Sequence, residues 1–63
     1  AVCCANYISR RIPLRVIHSA YRTSESCAKP AVVLVTNRGR SICVDPKAPW
    51  VQEYLEYLEL PEH

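Results

Sequence analysis

Apolar and polar positions follow a different rule in each part of the 63-residue chain. Residues 5–18 intersperse Ile8, Ile12, Leu14, Val16 and Ile17 with arginines and Pro13, and keep neither a helical nor a strand period. They predict a long, ordered, irregular loop, pinned by its apolar residues, with Arg10, Arg11 and Arg15 left outside. Val32, Val33, Leu34, Val35 and Thr36 form a β-branched run bounded by Pro30 and a turn, which reads as a strand. Residues 20–24 before it and 41–44 after it complete a three-stranded antiparallel meander over 20–44. Asn37, Arg38, Gly39 and Arg40 join the second and third strands, and Gly39, the sole glycine, suits a positive φ there.

Asp45 and Pro46 then turn the chain, and Pro49 fits the first turn of a helix, where its missing N–H is harmless. Trp50, Val51, Tyr54, Leu55 and Leu58 share one arc, with Gln52, Glu53, Glu56 and Glu59 on the other. A helix over 50–60 is predicted across the sheet, with Trp50, Tyr54 and Leu58 as packing residues, Leu60 exposed and Pro61 as the stop. The fold class is therefore α+β: one domain over 1–63, with an irregular N-terminal loop, a three-stranded antiparallel sheet and one C-terminal helix packed across it.

A domain of about 60 residues buries too little apolar surface to be comfortable without cross-links. The chain has four cysteines, Cys3, Cys4, Cys27 and Cys43. A bridge between the adjacent pair would strain the peptide and close almost no loop, which leaves Cys3 with Cys27 and Cys4 with Cys43, or the reverse. Either arrangement gives long closed loops, each worth roughly 3 to 4 kcal/mol in the chain-entropy model. The even count in so small a chain indicates an oxidising compartment, hence secretion. Zinc is disfavoured, since no C-x-x-C pair occurs and neither His18 nor His63 stands at a ligand interval; His18 reads as a surface residue. No stretch reaches the length of a membrane span, and with no signal-peptide pattern before Ala1 the chain reads as a mature secreted form. Neither Asn6 nor Asn37 begins a glycosylation sequon.

Net charge is only +2, but residues 1–48 hold all eight Lys and Arg against two acids (+6), while residues 49–63 hold four glutamates and no base (−4). An anionic partner would meet the body of the domain and avoid its C-terminal segment. Three arginines in a pinned loop suit an acidic peptide, whereas the glutamate-lined helix argues against a membrane-active antimicrobial peptide. No set of nucleophile, base and oxyanion donors suggests an enzyme.

The CC pair, the gaps of 23 to Cys27 and 16 to Cys43, and the stretches TSESC, PAVVLVT, GRSICVDP and WVQEYL resemble the CC chemokine family over nearly the whole chain. Within that family, IPLRV at 12–16 and APWV at 48–51 look most like one particular branch. The resemblance implies bonds from Cys3 to Cys27 and from Cys4 to Cys43, and binding to a G-protein-coupled chemokine receptor with no cofactor, metal, nucleic acid or membrane insertion. It places Tyr7, Ile8, Arg10, Arg11, Ile12, Leu14 and Arg15 against the acidic, tyrosine-sulfated receptor tail, with Tyr7 either packed beneath the loop or lining the receptor groove. Ala5 stands where the family often has an aromatic residue.

Ala1 and Val2 match the activating segment before the CC pair. With only these two residues there, a non-signalling binder or antagonist is the alternative to an agonist, and a monomer or weak dimer is expected. The family's basic cluster for glycosaminoglycans is reduced to Arg38 and Arg40, with Lys47 as a third candidate, which implies weak, salt-dependent binding.

Overall fold

The computed structural model describes residues 3–58. A 3₁₀ turn at Leu14–Val16 leads into β1 (Ile17–Arg22), β2 (Val32–Thr36) and β3 (Ser41–Val44), and α1 (Pro49–Tyr57) closes the element order. The sheet is antiparallel in the order β1-β2-β3.

β2 is apolar at consecutive positions because both of its faces are covered. Val32 and Leu34 pack with Ile17, Val44, Val51 and Leu55 in the main core beneath the helix, joined at its edge by Ile12, Val16, Ala20, Ile42 and Trp50. Val33 points the other way, into a smaller cluster with Cys4 and Ala31, against which Tyr7, Val35 and Cys43 pack. Alternation along the strand thus serves two cores, with the N-terminal segment covering the face that the helix does not.

All four cysteines are bridged, Cys3 to Cys27 and Cys4 to Cys43, with Cα separations of 5.6 and 6.0 Å. Of the two pairings open to the residues themselves, this is the one the family resemblance implied.

Both boundaries of β1 differ from the sequence reading. β1 begins at Ile17, not at residue 20, so the loop is shorter than 5–18 and its last turn is 3₁₀. Ile17 is buried opposite Thr36, and a register shift between Ile17 and Ser19 breaks the alternation that would have announced the strand. The strand also ends at Arg22, not at residue 24. Thr23 Oγ1 donates to the Ala31 carbonyl and accepts from the Ala31 amide, and Ser24 Oγ accepts from the Ser26 amide, so side chains take over from the ladder.

The hairpin tip fits its expected chemistry. Thr36 pairs with Arg40, the Gly39 amide donates to the Thr36 carbonyl at 2.9 Å, and Gly39 has φ 82°. The helix starts at Pro49, with Ala48 as a cap that offers no side-chain bond. Val51, Tyr54 and Leu55 are its buried residues, and Trp50 and Leu58 are half-buried against the same core. The helix ends at Tyr57 with Leu58 as its C-cap, short of the expected residue 60, and Leu60 and Pro61 lie outside the described residues.

Candidate functional site

The loop after Cys4 is irregular in shape but fixed in place at four points. Tyr7 lays its ring on the cluster of Cys4, Ala31 and Val33, and its hydroxyl donates to the Pro30 carbonyl. Lys29 Nζ sits 4.4 Å from the centre of that ring. Loss of hydration, and secondarily the negative charge of Asp45, hold the Tyr7 phenol above its ordinary value of 10.0. The Ile8 amide donates to the Cys43 carbonyl at 2.8 Å and so occupies part of the outer edge of β3, while the Ile8 side chain remains 46% exposed.

Farther along, Ile12 packs against the main core, and its carbonyl accepts a 2.8 Å bond from the Tyr54 hydroxyl on the helix. The fourth anchor is at the hairpin tip. Asn37 donates from its amide to the Val16 carbonyl at 2.9 Å and from Nδ2 to the Arg15 carbonyl at 3.1 Å.

These anchors sort the cations. Arg10, Arg11 and Arg15 are all exposed, as expected. Arg11 is nevertheless engaged: its Nε donates to Tyr54 Oη at 3.2 Å, with the guanidinium carbon 5.5 Å from the Tyr54 ring centre. The Asn37 bonds bring the backbone of Arg15 to the tip that carries Arg38 and Arg40, and Val16, Thr36, Asn37, Arg38 and Arg40 line a groove between loop and hairpin. Leu14 is half-buried in the 3₁₀ turn beside it.

Lys47 does not join this group. β3 separates it from Arg40 by about 13 Å of strand at ~3.3 Å per residue. The neighbouring Pro46 lines a second groove with Arg22, Thr23, Ser24 and Ala31, at the other end of the sheet. The Lys47 amide caps Asp45 Oδ1 at 2.9 Å, a turn-forming bond.

The structure therefore gathers Tyr7, Ile8, Arg10, Arg11, Ile12, Leu14 and Arg15 into one continuous path and joins its end to Arg38 and Arg40. Ala1 and Val2 lie outside the described residues. Of the two roles open to Tyr7, packing beneath the loop is the one its contacts fill. His18 is exposed, with Nδ1 3.3 Å from Ser19 Oγ. The sequence reading missed two residues. Tyr54 was expected only to pack, and Asn37 counted only as the loss of a basic position; in neither case does the local pattern reveal a partner more than 20 residues away.

A small sheet under one helix, two bridges from an adjacent cysteine pair and a pinned cationic loop define a disulfide-linked domain of the small-cytokine class. The profile of the small cytokines (intecrine/chemokine), interleukin-8 like, matches residues 1–58, and the chain belongs to this chemokine family. Over 58 residues it is 50% identical to C-C motif chemokine 3 of Pan troglodytes and 48% identical to C-C motif chemokine 4 of Canis lupus familiaris. Both alignments cover 92% of this chain and 63% of the relative, so the chain spans a little under two thirds of their length. Among solved structures, the crystal structure of viral macrophage inflammatory protein-II matches with a TM-score of 0.88 at 35% identity, covering 98% of this chain and 92% of that one.

One expectation is corrected by these comparisons. IPLRV and APWV look most like macrophage-derived chemokine, with thymus and activation-regulated chemokine also close, yet the chain is nearer to C-C motif chemokines 3 and 4. Two short segments were outweighed by identity spread over 58 residues.

Proposed function

We propose that this chain is the folded body of a secreted chemotactic cytokine, which docks the acidic, tyrosine-sulfated tail of a G-protein-coupled chemokine receptor on leukocytes along the loop from Tyr7 to Arg15. Membership of the chemokine family supports a signalling role without catalysis. The observation that carries the reading is the anchored loop. It is tied to the sheet at Ile8, to the helix at Ile12 and to the hairpin at Arg15, while Arg10 and Arg15 stay exposed and Ile8 offers an apolar foothold.

A loop already held in one path loses little freedom on binding, and guanidinium groups pair with sulfate and carboxylate through charge-assisted bonds. Glu53 and Glu56, exposed on α1, repel the same partner from the outer helix face. Glycosaminoglycan is a second, weaker ligand, held by Arg38 and Arg40 with Arg15 alongside, and Lys47 contributes separately from its distant position. No cofactor enters the reading, and a monomer or weak dimer suffices.

The test is titration with a tyrosine-sulfated receptor-tail peptide, paired with calcium flux in receptor-bearing leukocytes. Arg10→Glu and Arg15→Glu should each weaken the peptide about tenfold, the scale of one lost charge-assisted contact. Undiminished affinity in both would remove the loop from the site. Peptide binding without flux would make the chain a binder that does not signal.

A further inference from the structure

The buried face of α1 carries one hydroxyl into the core, that of Tyr54, whose residue is only 4% exposed. A phenol can accept and donate at once, and here both bonds go to consecutive residues of the docking loop. Arg11 Nε donates to the oxygen at 3.2 Å, and the hydroxyl donates to the Ile12 carbonyl at 2.8 Å. Trp50 meets the ring edge-on, with centroids 5.2 Å apart and planes at 80°, which fixes its direction. The bond to Tyr54 and its electrostatic attraction favour the charged form of Arg11, outweighing desolvation, with a smaller contribution from Glu53.

A phenylalanine would fill the same space beside Trp50, so the oxygen serves the loop and not the packing of the core. We infer that Tyr54 is the positioning residue of the docking loop, and that Arg11 acts through Tyr54 instead of touching the receptor tail, leaving Arg10 and Arg15 as the outward cations. The part of this inference that concerns the tail rests on the docking role proposed above; the clasp itself does not.

The experiment compares wild type, Tyr54→Phe, Arg11→Ala and the double variant. It measures backbone ¹⁵N order parameters over residues 8–12 and affinity for a tyrosine-sulfated peptide. Tyr54→Phe should keep the sheet and helix signals while order in the loop falls toward the flexible range, below about 0.6. Peptide affinity should drop about fivefold, the factor associated with one hydrogen bond. Adding Arg11→Ala to Tyr54→Phe should cost little further, because the Arg11 hydrogen bond is already lost and only its contact with the ring remains.

Unchanged loop order in Tyr54→Phe would overturn the clasp, and losses that multiply in the double variant would show Arg11 touching the tail. If wild type fails to bind the peptide, the docking role falls while loop order still decides the clasp. Should Tyr54→Phe not fold, Arg11→Ala at its exposed site still tests half of the clasp: with the Ile12 bond kept, order should fall at residues 10–11, and unchanged order there would overturn the part assigned to Arg11.

Discussion

Single side chains in this domain have two duties, and the tyrosines show it best. Tyr7 and Tyr54 each use a ring to fill a core and a hydroxyl to hold a stretch of backbone that has no ladder of its own. Tyr7 also yields a pH expectation. Its phenol titrates above 10.0 in the folded chain because burial, and then Asp45, disfavour the anion. A raised acid binds its proton more tightly folded than unfolded, so this contribution to stability is complete below pH 10 and is lost as pH rises through the folded value. The tyrosinate absorbance that disappears in Tyr7→Phe should therefore titrate above that of free tyrosine. A midpoint at or below 10 would show that the ring is neither desolvated nor near Asp45.

At the scale of elements, the hairpin between β2 and β3 is the clearest case of position deciding role. Its tip places Arg38 and Arg40 beside the end of the docking loop, whereas Lys47 follows the far end of β3. Changing Arg38 and Arg40 to Ala should lower the salt that elutes the protein from heparin, with Arg15→Ala adding to the loss and Lys47→Ala doing less than either arginine. Equal effects from Lys47 and the arginines would mean that the polyanion spans the whole edge of the sheet.

Much of this organisation was legible in the chain. The β-branched run at 32–36 marked the central strand, Gly39 marked the tip and the 3.6-residue spacing marked the buried helix face, because each depends on local periodicity or a special φ. What escaped was non-local. The start of β1 was hidden by the bulge at Ile17 and Ser19, its end by the side-chain bonds of Thr23, and the roles of Asn37 and Tyr54 by partners at separations of 22 and 42 residues. The loop cations were readable as exposed, but the division between engaged Arg11 and outward Arg10 and Arg15 required the fold.

At the scale of the molecule, two bridges fasten an N-terminal segment to one end of a sheet that would be marginal alone, at the β1–β2 connection through Cys27 and at β3 through Cys43. They span 24 and 39 residues, which in the chain-entropy model is about 3 to 4 kcal/mol each, a sizeable share of the stability of so small a domain. The same segment covers the sheet face opposite the helix, so the covalent frame and the second core hold the docking loop together. Charge follows the frame, with +6 on residues 1–48 and −4 on residues 49–63.

The central claim is that an anionic tail docks along the loop from Tyr7 to Arg15. The most direct test adds a tyrosine-sulfated tail peptide to the ¹⁵N-labelled chain and follows its amide shifts. Saturable shifts should cluster at residues 7–15, and weaken with added salt. Shifts centred on the outer helix face at Gln52, Glu53 and Glu56, or none at any peptide concentration, would contradict the account.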